Sequence, residues 1–162
     1  MEFVLWLTAT PVARFVRHST WAWPVLEILH FMGLSLILGT IGVFDLRLMG
    51  WVKGIPPAAL HRAVPIGVAG FCVNVITGSM FFAAEPFFYI GNIAFQIKMA
   101  LMVSAGINVA VFYLLLSRRV MALERGGQAP PGARLVGAAS LLLWMSILVA
   151  GRMEAFLKPL AP

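Results

Sequence analysis

The stretch WAWPVLEILHFMGLSLILGTIGVFDLRLMG, residues 21–50, decides how the rest of the chain is read. Between Trp21 and Met49 its only ionisable side chains are Glu27, His30, Asp45 and Arg47. A helix of that length, rising ~1.5 Å per residue, is longer than the ~30 Å hydrocarbon core of a bilayer. Trp21 and Trp23 at one end and Trp51 at the other sit where aromatic anchors meet the membrane surface. Pro24 fits the first turn of such a helix, where its missing N–H costs nothing. The segment is therefore expected to be a transmembrane span.

Composition extends that expectation to the whole chain. Of 162 residues, 61% are hydrophobic and 11% charged, against roughly 25% charged in a soluble domain. Three more apolar runs follow, at about 59–84, 92–116 and 134–157. Pro56-Pro57 separates the first pair, Glu85-Pro86 and the aromatic run Phe87, Phe88 and Tyr89 the next, and ERGGQAPPG (124–132) the last. The fold class expected is an all-α integral membrane four-helix bundle, residues 19–162. It is preceded by an amphipathic interfacial segment, residues 1–18, broken near Pro11, with Phe3, Trp6 and Leu7 dipping into lipid. Glu2 replaces the basic start of a secretion signal, and Arg14 and Arg17 come after the apolar stretch rather than before it.

The formal charge of +6 does not point to nucleic acid, because most basic residues lie in short loops beside the spans. Arg47, Lys53, Arg62, Arg118, Arg119, Arg125 and Arg134 fall on one side; Arg14, Arg17 and Lys158 fall on the other. The positive-inside rule makes the first side cytoplasmic and puts both termini outside, in the periplasm of a bacterial inner-membrane protein. Cys72 is the only cysteine, which excludes an intrachain disulfide and a thiolate metal cluster. Small residues recur four apart: Ser35 and Gly39, Ala63 and Gly67, Gly106 and Ala110, Ala133 and Gly137, with Gly70 and Gly78 at twice that. Such spacing lets helices approach closely in lipid. Asn74 and Asn108 are expected to hydrogen-bond between the second and third spans.

Charged groups inside a span are costly and face a partner or a cavity. Glu27 lies ~9 Å below the Trp21 anchor, and His30 lies one turn deeper on the same face. Lys98 is six residues into the third span; Arg152 and Glu154 close the fourth. Glu27, His30, Lys98, Arg152 and Glu154 are therefore expected to form a buried polar layer near the end of the molecule that carries the termini. Glu27 is expected to pair with Arg152 or Lys98. Asp45, Arg47 and Arg62 are expected to form a clamp at the opposite, cytoplasmic rim, with Arg118 and Arg119 as further partners for Asp45. The layer has two readings: a network that fixes helix register, or a site for a proton, metal or small ligand.

A haem b would need His30 together with a methionine or with its copy in a second subunit, because His61 lies at the other surface and His18 outside the bilayer. Copper would use His30 with Met80, Met99 and Met153, or Met102, since thioether and imidazole suit Cu(I). Glu27-x-x-His30 matches half of a di-iron carboxylate motif, but no second such pair exists. No Gly-rich phosphate loop and no nucleophile beside a histidine base is present.

On the pattern Trp21, Pro24, Glu27, His30, Gly33 followed by Asp45-Leu46-Arg47-Leu48-Met49-Gly50, and on NIAFQIKMALMVSAGIN (92–108), the chain resembles a family of small bacterial four-span inner-membrane proteins of uncharacterised activity. At a distance its layout is similar to the membrane bundles of copper-resistance proteins and b-type cytochromes, although the paired histidines of the latter are missing. Residues and resemblance together imply an accessory protein rather than an enzyme: a membrane subunit, or one handling ions or small solutes. The alternative is a redox or metal protein built on His30. The partners expected are the lipid bilayer and a second copy of the chain or another membrane or periplasmic protein, not nucleic acid.

Overall fold

Every regular element is helical in the computed structural model, which describes residues 2–157. Four helices are long and apolar enough to cross a membrane: span 1, Ala22–Met49; span 2, Pro57–Ala84; span 3, Ile93–Met121; and span 4, Pro131–Met153. The protein is thus a multi-pass helical membrane bundle. Two short helices, Glu2–Thr8 and Pro11–His18, precede span 1, and a third, Pro86–Gly91, joins spans 2 and 3. We call the end bearing these short helices the terminal end. The opposite end, with the 50–56 and 122–130 connections, is the loop end.

The N-terminal break falls at Ala9-Thr10. The Thr10 hydroxyl accepts the Ala13 N–H at 3.2 Å, and Pro11 occupies the first turn, where it needs no partner for its absent N–H. Ala13 and Val16 of the second short helix are fully buried where it packs along span 2. Phe3 and Trp6 stack on one another, 5.8 Å between ring centroids, and stay exposed on the outer side.

Limits of three spans differ from the sequence expectation. Span 2 begins at Pro57 because Pro56 is extended and Pro57 is a favoured helix opener. Span 3 runs on to Met121 through a wide turn at Phe112–Leu116. Arg118 and Arg119 do not stop it; they lie in its last turn, where cations complement the helix dipole. Span 4 starts at Pro131, not Arg134, and ends at Met153, not Leu157. Lys158 lies outside the described residues.

Spans 1 and 2 pack along each other at the terminal half, spans 3 and 4 pair along their lengths, and span 4 packs on the loop-end half of span 1. Span 1 serves two neighbours because it contains a π-turn at Leu38–Gly42. One extra residue in a turn rotates everything beyond it about the helix axis. Before the turn, Leu26, Gly33 and Ile37 are buried; beyond it, Phe44, Asp45 and Leu48 are, with Leu48 and Asp45 meeting span 4 at Gly137.

Glycine sets the closest approach. A Cβ on Gly70 would stand 2.6 Å from the Gly33 carbonyl oxygen, and one on Gly33 would stand 2.7 Å from the Gly70 oxygen and collide with Asn74. Asn74 therefore packs against span 1 rather than bonding to span 3, and the Asn108 amide donates to the Val136 carbonyl of span 4 at 3.1 Å. Ser35 and Gly39 face outward and take no part in packing within the chain.

Gly70→Val should force spans 1 and 2 apart and lower the detergent-solubilised melting temperature and folded yield, on the scale of an overpacked core, roughly 1–3 kcal/mol. Gly39→Ala, with nothing near its added methyl, should be neutral or slightly stabilising. Equal effects of the two substitutions in a thermal-shift assay would refute the Gly33–Gly70 contact.

Candidate functional site: a polar layer at the terminal end

Asn92 builds the layer. It caps span 3, its side-chain oxygen accepting the Ala94 N–H at 2.9 Å, as Asn does at helix starts. Its amide nitrogen donates to the carbonyls of Glu154 at 3.0 Å and Leu157 at 2.9 Å. Fully buried, it has both amide donors and its oxygen engaged and fastens the start of span 3 to the end of span 4. Lys98, six residues on, then reaches Glu154, with Nζ to Oε1 3.2 Å and side chains only 17% and 12% exposed. Gly151 leaves room for the lysine stem: a Cβ there would lie 3.4 Å from Nζ.

The other half of the layer belongs to spans 1 and 2. The His30 Nδ1 and Thr77 Oγ1 are 2.7 Å apart, and Thr77 also donates to the Val73 carbonyl at 2.9 Å. Since one hydroxyl has one proton, the hydroxyl given to Val73 leaves Thr77 as acceptor and His30 protonated at Nδ1. The edge of the His30 ring stands against Phe81, 6.1 Å between centroids, and Phe81 lies against Trp23 at 4.8 Å. Lys98 is close enough for its charge to act on His30. Tyr89, on the connecting helix, leans on Phe82, Phe88 and Phe95. Its hydroxyl is pushed up to about 12 by burial first and then by the carboxylates of Glu154, Glu27 and Glu85. Burial likewise raises the Glu154 carboxyl, and Lys98 opposes it.

Two expected members stand apart. Glu27 is exposed and, among the described residues, makes no ion pair; its charge acts on Tyr89. Its expected partners are engaged elsewhere: Lys98 by Glu154, and Arg152 by a surface contact. The Arg152 guanidinium lies 5.1 Å from the centre of the Phe156 ring, on the outside of span 4. Arg152 and Glu154 are two residues apart, so helical geometry sends them to different sides, and only Glu154 can face span 3. Thr77, Asn92 and Tyr89 were missed in the sequence. Asn before an apolar run is a legible cap signal, but its reach to span 4 is not.

The expected metal donors do not gather. His30 spends Nδ1 on Thr77, Met80 packs in the apolar cluster of Val16, Leu26, Phe81 and Ala84, and Met99 and Met153 face outward. Among the described residues no three His, Cys, Asp or Glu side chains form a group able to hold a metal.

The expected loop-end clamp is also corrected. Asp45 is buried with its Oδ2 unpartnered, beside Ser140 of span 4. It pairs with none of Arg62, Arg118 and Arg119, because it faces the bundle while Arg62 is exposed. Arg47, two residues on and turned the other way, is completely buried. Its Nε donates to the Ile55 carbonyl at 2.6 Å and its Nη2 to the Gly127 carbonyl at 3.0 Å, tying both connections together. Gly50, at φ 94°, gives span 1 its left-handed ending, which a side chain would strain.

Lys98→Met should strand the Glu154 carboxylate and cost roughly 2–3 kcal/mol, somewhat less than a fully buried pair because both partners keep some exposure. Lys98→Met with Glu154→Leu should recover most of that loss. Arg152→Leu should change stability by less than about 1 kcal/mol, the worth of an exposed cation–π contact. Thermal unfolding of the purified variants decides it: a loss in Arg152→Leu as large as that in Lys98→Met would make Arg152 the true counter-charge.

No protein-family model matches this chain, and neither a curated protein nor a solved structure does.

Proposed function

We propose that this chain is a bacterial inner-membrane protein with both termini on the periplasmic side, an accessory component that handles a small ion or solute through its terminal-end polar layer. The carrying observation is the Lys98–Glu154 pair, largely shielded, with Lys98 close enough for its charge to act on His30. Replacing one partner of such a pair is costly, whereas a hydrophobic substitute for both would hold helices as well or better. Ionisable groups kept at such a depth are by default groups that exchange protons or bind charged species. The orientation is supported by the surplus of Arg and Lys at the loop end, and the resemblance of the first span to small bacterial four-span proteins agrees with it.

In proteoliposomes under a potential, the wild type should carry protons or a small cation faster than empty vesicles. The Lys98→Met, Glu154→Leu double variant, folded but without the charges, should fall to the empty-vesicle rate, and His30→Ala should slow it strongly. Wild-type flux equal to that of empty vesicles, or flux unchanged in the double variant, would remove ion handling as the function. A C-terminal alkaline phosphatase fusion should be active, and a fusion in the 122–130 connection inactive; the reverse pattern would invert the orientation.

A further inference from the structure

Spans 2 and 3 are neighbours that do not pack along their lengths. They meet at two places. At the terminal end Phe82 stacks on Phe95, 5.8 Å between centroids and 16° between planes. At the loop end the His61 Nε2 and Tyr113 Oη are 2.9 Å apart. His61 and Phe82 are twenty-one residues apart, ~32 Å along a helix, and over that length the two spans do not pack on each other, which leaves a cleft between them. Phe71 of span 2 reaches Trp144 of span 4 partway along this length, 6.3 Å between centroids. Phe71 is ten residues from His61, ~15 Å, about the depth of one leaflet.

The loop-end mouth of this cleft is cationic. Arg62 follows the first turns of span 2, and Arg118 and Arg119 sit in the last turn of span 3; these two segments pack together. All three arginines are exposed and, among the described residues, none is in an ion pair. The acids in the loop-end half are Asp45, buried against span 4, and Glu124, exposed in the 122–130 connection. Just below the arginines, Leu114 and Leu115 are 81% and 70% exposed. Both belong to the wide turn at Phe112–Leu116, which directly precedes the helical turn that carries the charges.

We propose that this cleft is a binding site for one anionic phospholipid of the loop-end leaflet. Its phosphate meets Arg62, Arg118 and Arg119, and one acyl chain lies between spans 2 and 3 as far as Phe71 and Trp144. Each element answers a part of that ligand. Planar guanidinium groups take phosphate oxygens in pairs, and the apolar walls end one leaflet deep. Paired basic residues between spans at one surface are the usual answer to an anionic headgroup.

The test uses the purified full chain and phosphatidylglycerol or phosphatidylcholine brominated near the chain end. Emission from Trp144, isolated as the difference between wild type and Trp144→Phe, should be quenched at roughly tenfold lower phosphatidylglycerol than phosphatidylcholine, as a few surface arginines allow. The Arg62→Gln, Arg118→Gln, Arg119→Gln variant should lose that preference. The Lys53→Gln, Arg125→Gln variant, which lowers charge at the same end but outside the cleft, should keep it. Native mass spectrometry should find one phosphatidylglycerol retained by the wild type and none selectively by the triple variant. Equal quenching by the two lipids would overturn the proposal. So would an equal loss in the Lys53 and Arg125 variant, which would mean general surface charge. Displacement of the lipid by excess inorganic phosphate would mean a free-anion site instead.

Discussion

The absence of water in the hydrocarbon core governs this molecule more than any single contact. A backbone polar group there must bond within its own helix, and a polar side chain must find its partner within the protein or reach the surface. The spans show the first half of that constraint and the polar layer the second. Five hydroxyls of the spans close on a carbonyl of their own preceding turn: Ser35 on Phe31, Thr40 on Leu36, Thr77 on Val73, Ser79 on Val75, Ser104 on Ala100. Asn92, Lys98 and His30 lack that option and reach across to other helices. The molecule's cross-links are therefore its least lipid-compatible side chains.

Lipid also changes what holds spans together. Between apolar helices in a membrane there is no hydrophobic gain from burial, so close packing and interhelical hydrogen bonds must supply cohesion. Spans 1 and 2 use packing: their backbones touch at Gly33 and Gly70, and Thr40 and Ile41 rest on Gly67. Spans 3 and 4 use polar bonds, with Asn92 and Lys98 at the terminal end and Asn108 in the middle. Span 4 is the best covered of the four and span 3 the least, 28% against 11% of their most apolar windows. A span covered so little on its other sides leaves an open cleft toward span 2.

The sequence makes depth legible and leaves azimuth obscure. Counting ~1.5 Å per residue along the spans gives His30, Lys98 and Glu154 similar depths, and Lys98 does meet Glu154. The side of the helix each residue faces depends on details that no hydropathy pattern carries. The π-turn at Leu38–Gly42 adds a residue without leaving a mark in the apolar run, so the face of Asp45 cannot be projected from the first half of the span. Pro11, Pro57 and Pro131 set helix starts as their fixed φ requires, which is why breaks are easier to find than partners. Small-residue spacing selected Gly67, Gly70 and Gly137 and also Ser35 and Gly39, which face outward. The pattern is the same whether the neighbour belongs to the chain or not.

The two arginines make the same lesson quantitative. Arg152 stands in a stretch that reads as membrane, yet it needs no buried partner. At the last turn of a span its long side chain can lie toward the surface, where Phe156 covers its guanidinium. Arg47 stands at a span's end, where a surface position looks free, yet it is fully enclosed. What separates them is the chain that follows. After Arg47, the left-handed turn at Gly50 folds residues 51–55 back over the helix end, and the Gly126 N–H donating to the Lys53 carbonyl at 2.9 Å brings the second connection onto the first. Carbonyls from both connections then accept from it, and a guanidinium with donors fixed in a broad fork suits two carbonyls set apart. A lysine there would supply the charge without the planar fork that reaches both Ile55 and Gly127. Arg47 is buried because two loops need a common donor, a need set by the backbone of residues far from it in sequence.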